Sequence, residues 1–243
     1  MSVLKIQITD YNDIASEYDA HEKNAETLWH LGYRYLFSYL NPTLNTSILD
    51  HGCGSGIFCR YMREYNANVT GVDISENMLR VAKKGYPKDI TYNQITSGNL
   101  NFLPDNSFDF VVSNFVFCTI STGNEILGIM KSINRILKKN GNFIIMNPNW
   151  DESNGKEFIS FKLQYNRNLS SGKPVTAVIK TEPPIIMNDY YWSKANYIYF
   201  LTESGFEISS IKEPRAKVND FPWISEKTNP PYFIINAKKQ LSE

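Results

Sequence analysis

Cysteine is scarce. There are three in 243 residues, Cys53, Cys59 and Cys118, an odd number with no Cys-x-x-Cys pair. That argues against a disulfide framework and a zinc site, and makes a reducing cytoplasm the expected location. An excess of either charge is also missing: 25 basic side chains balance 25 acidic ones. A broad basic face is therefore not expected, and a dedicated nucleic-acid binder is disfavoured. No apolar run reaches the roughly 18 residues of a membrane-spanning helix. The opening MSVLKIQITDYND has no basic segment leading into an apolar one, so it does not read as a secretory signal. Repeats and low-complexity tracts are lacking, and no metal is expected. What remains is a chain with 42% apolar residues, enough for a real core in a single domain over 1–243.

The pattern along the chain predicts an α/β fold. Residues 11–40 read as helical, with Leu28, Leu31, Tyr35 and Tyr39 spaced by threes and fours, and Asn41-Pro42 stops them. Strands and helices then alternate. Strands are expected at 47–50, 68–73, 91–95, 108–114 and 142–146. Helices are expected at 57–65, from the Ser75 cap to about Lys84 with Met78, Leu79 and Val81 inward, and at 125–139 before Asn140-Gly141. Such alternation implies a Rossmann-like, doubly wound, mostly parallel sheet with helices on both faces. Residues 148–190 break the pattern and read as a cap insertion after strand five. A last helix at 191–204 and two strands at 206–211 and 232–237 would close the sheet as an antiparallel hairpin. The expected segments are thus 1–42 as an N-terminal helical lid, 43–147 as a ligand-binding core, 148–190 as the cap, and 191–243 as the closing elements.

The segment ILDHGCGSG, residues 48–56, carries the functional information. A phosphate-cradling P-loop needs a lysine after the last glycine, and none stands there. A dinucleotide loop needs its third glycine where Ile57 stands. The third reading is a glycine loop behind a strand-end acid, Asp50, with a second acid, Asp73, ending the next strand. Gly52 and Gly54 then let the backbone approach a nucleoside with an amino-acid tail. Asp50 suits an ammonium, and Asp73 suits a pair of ribose hydroxyls, because a carboxylate accepts two O–H donors at once.

ILDHGCGSG, VTGVDISENMLRVAKK and LPDNSFDFVVSNFV together resemble the class I S-adenosylmethionine-dependent methyltransferases, most closely the small-molecule type. The resemblance spans residues 11–147, and more loosely 191–237. It implies S-adenosyl-L-methionine as cofactor and S-adenosyl-L-homocysteine as product. It also implies Asp50, Gly52 and Gly54 at the methionine end, Asp73 at the ribose, and Ile74 and Met78 against the adenine. Ser97, Gly98 and Asn99 would meet the adenine edge, although the acid often found there is absent. Asn114 and Phe115 would lie beside the sulfonium, with Tyr11 and Tyr18 closing over the cofactor.

Methyl transfer from a sulfonium is an in-line displacement that needs alignment more than activation. No histidine follows strand four in VFCT, so any general base must come from elsewhere; His21, Asp151 and Asp189 are candidates, and Tyr191 is a further catalytic candidate. Trp150, Tyr190, Tyr191 and Trp192 could line an acceptor pocket or simply fill a lid core. Gly56 suits helix–sheet packing, Cys53 and Cys59 suit a buried core, and His51 suits a local backbone hydrogen bond. The expected activity is O- or N-methylation of a small molecule under a lid. RNA or protein methylation, or cofactor binding without catalysis, are the competing readings; the oligomeric state is open.

Overall fold

The computed structural model describes residues 8–40, 42, 45–84, 89–217 and 221–240. Residues 1–7 of the opening segment and Asn41 of the helix stop lie outside them. Alternating burial builds the central sheet. In the adjacent pairs Ile48/Leu49, Val112/Val111, Ile144/Ile145 and Ile234/Ile235, the first-named residue enters one core and the second enters the core on the other face. A strand covered on both faces is apolar at successive positions, as these runs are.

The N-terminal region holds α1 (Ala15–Lys23), α2 (Glu26–Leu28), a wide π-turn over Trp29–Tyr33, and α3 (Arg34–Leu40), rather than one helix. Then follow β1 (Ser47–His51), α4 (Ile57–Glu64), β2 (Asn68–Asp73), α5 (Glu76–Lys84), β3 (Thr91–Gln94), β4 (Phe108–Asn114), α6 (Gly123–Ile136) and β5 (Leu137–Pro148). The cap contains α7 (Trp150–Ser153), β6 (Phe161–Leu163), β7 (Lys173–Ile179) and β8 (Ile185–Tyr191). The chain closes with α8 (Lys194–Glu203), β9 (Phe206–Lys212) and β10 (Tyr232–Lys239).

Seven strands form one sheet in the order β3-β2-β1-β4-β5-β10-β9. The first five run parallel, and β10 lies antiparallel between β5 and β9. Residues of α2–α5 pack in one core and those of α6 and α8 in the other. The expected doubly wound, mostly parallel seven-stranded sheet with helices on both faces is what the chain forms.

Two helix boundaries and one buried position also differ from expectation. Helix α6 stops at Ile136, because Leu137 already pairs with Phe108 and Asn140 turns through a positive φ of 65°. Helix α8 starts at Lys194, because Tyr191 pairs with Lys173 in β8 and Ser193 forms a capping box with Asn196. On α5 the deeply buried third residue is Ala82, with Val81 half-exposed.

The cap is a small antiparallel sheet, β6-β7-β8, separate from the large one. Its outer strand is tied to the N-terminal segment: Thr9 N–H donates to the Asn188 carbonyl at 3.3 Å, and Asn188 N–H donates to Thr9 Oγ1 at 2.8 Å. Among the described residues no helix is long and apolar enough to cross a membrane.

Candidate active site

Parallel strands end on a common rim. Asp50 in β1 stands opposite Gly71 of β2 on one side and Val112 of β4 on the other. The ends of these three strands therefore bring Asp50, His51, Asp73 and Asn114 to one cleft, at the position where doubly wound sheets bind ligands.

The glycines shape this cleft for distinct reasons. Gly52 has φ +74°, and a Cβ there would sit 2.1 Å from Val116 Cγ2. Gly54 has φ +52° but open space, the nearest atom to an added Cβ being Met78 Sδ at 4.0 Å. A Cβ on Gly56 would lie 2.4 Å from the Tyr92 hydroxyl and 3.1 Å from Ala82 Cβ, so that residue serves helix–sheet packing.

Asp73 anchors the loop. Its two oxygens accept from Gly54 N–H and Ser75 N–H, each at 2.8 Å, and keep lone pairs for further donors. Burial raises its pKa while these backbone donors oppose the rise. Asp50 is 2% exposed and accepts from Cys59 Sγ at 3.2 Å; burial pushes its carboxyl up to about 7. Such a carboxylate gains from a cationic ligand. Asn114 Oδ1 is buried without a partner. His51 bonds Ser113 Oγ on β4 at 3.2 Å through Nδ1, not a local backbone group, and burial lowers it to about 4.

Tyr11, Tyr18, Ile74, Met78, Ser97, Gly98 and Phe115 also line the cleft. Ile74 is 61% exposed, an apolar side chain left bare on its rim. Asn99 stands apart: it is exposed, and its side-chain oxygen accepts from Asn101 N–H at 2.9 Å. Phe115 adopts φ +58°, uncommon for a bulky residue and typical of functional turns.

A second, largely apolar cavity adjoins the cleft. It shares Tyr11, Tyr18, Glu22 and Phe115 with it and adds His21, Leu28, Phe161, Ala177, Ile179, Met187, Asp189 and Tyr232. The cap sheet thus supplies one wall and α1 another. Asp189 is buried, and that burial pushes its carboxyl up to about 7, while the nearby Cys118 thiol donates to the Phe115 carbonyl at 3.1 Å. His21 is lowered by burial, with Glu26 opposing.

Asp151 and Tyr191 lie elsewhere. The Tyr191 hydroxyl donates to Asp151, which also accepts from Lys194 N–H at 2.9 Å, so this pair fastens the cap to α8. Trp150, Tyr190 and Trp192 line neither cavity. Trp150 is in the core and Trp192 donates to the Ile120 carbonyl at 2.8 Å. The rings around the second cavity are Tyr11, Tyr18, Phe115, Phe161 and Tyr232 instead.

Two features were not evident in the sequence. Glu22 faces both cavities, accepts from the Tyr33 hydroxyl, and is pushed up to about 7 by burial. Tyr11, Tyr18 and Glu22 are spaced by seven and four, a helical-face signal that could have revealed it. Asn12 accepts from Ser75 Oγ at 2.8 Å, and its carbonyl accepts from Asn77 Nδ2 at 2.8 Å, holding the N-terminal segment to the start of α5.

The donor set fits S-adenosylmethionine: a buried carboxyl for an ammonium, a backbone-held carboxylate for hydroxyls, an unpartnered Asn114 oxygen, and a glycine rim that a Cβ at Gly52 would fill. Fold and rim together define a nucleoside-cofactor transferase. Residues 49–145 match the family model described as a methyltransferase domain. An N-demethylindolmycin N-methyltransferase from Streptomyces griseus is 29% identical over 214 residues, 84% of this chain and 90% of that protein. A demethylmenaquinone methyltransferase from Tropheryma whipplei is 30% identical over 179 residues, covering 71% of both chains. Among solved structures, a Listeria monocytogenes protein assigned as an S-adenosylmethionine-dependent methyltransferase aligns with TM-score 0.67 and 25% identity over 90% of this chain and 99% of that one. The chain belongs to the class I S-adenosylmethionine-dependent methyltransferases. Among the described residues no cluster of three or more His, Cys, Asp or Glu could hold a metal ion.

Proposed function

We propose that the protein methylates a nitrogen or oxygen of a small-molecule acceptor, held in the second cavity beneath the N-terminal segment and the cap sheet. The observation that carries this reading is the continuity of the two cavities through Tyr11, Tyr18, Glu22 and Phe115. An acceptor in the apolar chamber lies next to the cofactor cleft with aromatic rings around it.

When bound, S-adenosylmethionine supplies a methyl group on a sulfonium. Asp50 would face its ammonium, Asp73 its ribose hydroxyls, and Ile74 and Met78 its adenine, while Asn114 and Phe115 would border the reacting centre. The chain's own contribution is mainly alignment and water exclusion, effects worth roughly 7–11 kcal/mol in well-oriented systems. Tyr11, Tyr18 and Phe115 line the junction of the two cavities, and a cation over a ring face gains roughly 0.5–2 kcal/mol. Asp189 accepts the proton that an N–H or O–H nucleophile gives up, since its carboxyl at about 7 is poised for transfer near neutral pH. Asp151 and Tyr191 take no part, being bonded to each other outside the cavity. A chamber of this apolar character between α1 and the cap favours a small acceptor over RNA or a protein side chain.

The test is methyl transfer from isotope-labelled S-adenosylmethionine into a small-molecule extract, read by mass spectrometry. A labelled metabolite, with fragmentation placing the label on nitrogen or oxygen, is the expected outcome. Label on carbon, or only in RNA or protein, would overturn the reading.

A further inference from the structure

The acceptor cavity has a one-sided electrostatic character. Glu22 and Asp189 both line it, and no lysine or arginine does so among the described residues. Its histidine, His21, is lowered by burial and so tends to neutrality. Asp189 is 8% exposed, and its Oδ1 has no hydrogen-bond partner. A buried acceptor atom left without a donor is costly, so the cavity is complete only with a ligand that donates there. Glu22 is set by the Tyr33 hydroxyl and stands where the two cavities meet. Around these two carboxyls the walls are apolar: Phe161, Met187, Ile179 and Tyr232.

We propose that the acceptor is an amine with an apolar, aryl-sized body, bound as its ammonium ion between Asp189 and Glu22. This rests on the reading of the second cavity as the acceptor site and names its substrate class. An acceptor carboxylate would meet two carboxyls with no cation beside them, and a neutral alcohol would leave one of the carboxyls unpaired. The ammonium N–H bond breaks to Asp189 Oδ1, and its electron pair stays on nitrogen as the nucleophile. The N–C bond then forms as the C–S bond breaks, with that pair going to sulfur. The product is the N-methyl amine in its protonated form. Glu22 holds the charge of the arriving ammonium beside the cleft and positions the nitrogen.

The test is binding without turnover. Protein saturated with S-adenosylhomocysteine is titrated calorimetrically with a panel of arylalkylamines, such as 2-phenylethylamine and tryptamine, and with their matched alcohols and carboxylates. The amines should bind at least about tenfold more tightly than the alcohols, and the carboxylates should bind most weakly. Asp189→Asn and Glu22→Gln, which keep side-chain shape, should each remove most of that preference while S-adenosylhomocysteine still binds. Equal or tighter binding of alcohols or carboxylates, no binding by any amine, or an amine preference that survives both substitutions would overturn the proposal. The labelling experiment separates the two readings. An O-methylated metabolite would leave small-molecule methylation standing and remove the amine class alone.

Discussion

At the residue scale, Asp73 and the glycine rim make distinct demands. Asp73→Ala removes the acceptor for Gly54 and Ser75 N–H and the proposed ribose partner. Cofactor affinity should fall by about 1–3 kcal/mol, read by titration calorimetry; unchanged affinity would remove the ribose from this position. Gly52→Ala should be worse than Gly54→Ala. Its Cβ would lie 2.1 Å from Val116 Cγ2, whereas at Gly54 only the positive φ opposes a side chain. Paired titrations of the two variants decide the ranking. Asp189→Asn should lower kcat by about 100-fold or more, the usual share of a general base. The wild-type rate should decline as pH drops through about 7, where Asp189 takes up its proton, and the variant should lose that limb. A variant keeping the same limb would assign the titration to another group. Much of this residue set was legible: an acid before clustered glycines and a second acid one strand later share a spacing that only a strand-end cleft explains. Glu22 was hidden, because a glutamate on a polar-looking helix reads as solvated until the cap covers it.

At the element scale, the N-terminal segment proposed as a lid is held partly by a few polar contacts. Asn12 ties it to α5 through Ser75 and Asn77, and Thr9 ties it to β8. Asn12→Ala should speed hydrogen exchange across residues 9–23 and weaken cofactor binding, with little change in Tm. Exchange unchanged from wild type would mean that the packing of Tyr11, Ile14 and Tyr18 on the cap sheet holds the segment alone. The cap strands were partly legible. In β8, Ile185, Met187, Asp189 and Tyr191 are buried while Ile186 is exposed, a period of two visible in the sequence. Read beside a stretch rich in polar residues and prolines, it looked irregular. The aromatic group at 150–192 misled for a related reason: ring content marks burial but does not say which cavity a ring faces. The start of α8 was shifted for the opposite reason, since pairing with Lys173 holds Tyr191 in the cap sheet against helical extension.

At the scale of the whole molecule, burying carboxyls links stability to pH. Glu22, Asp50 and Asp189 are each pushed up to about 7, whereas unfolded carboxyls titrate near roughly 4. The folded form therefore holds more protons across that window, and the stability this contributes is lost as pH rises through about 7. His51, lowered to about 4, acts oppositely, its contribution being lost as pH falls below roughly 6.5. From about pH 4.5 to about pH 7 the three carboxyls outweigh the single histidine, so the Tm of the ligand-free protein should fall over that range. S-adenosylhomocysteine should flatten the fall if its ammonium lies beside Asp50, as proposed; a flat ligand-free profile would mean that these carboxyls are more solvated than their burial implies. By itself the sequence determined the fold class, the strand that leads into the glycine loop, and the cofactor family. Those follow from local periodicity and from residues close together along the chain. Only the tertiary structure decided which carboxyls share the second cavity. Glu22 and Asp189 stand 167 positions apart, and the pairing of β8 with its cap sheet and the seating of α1 against it are what bring both into one chamber. Their common environment, and the raised pKa values it causes, come from burial that no local pattern encodes.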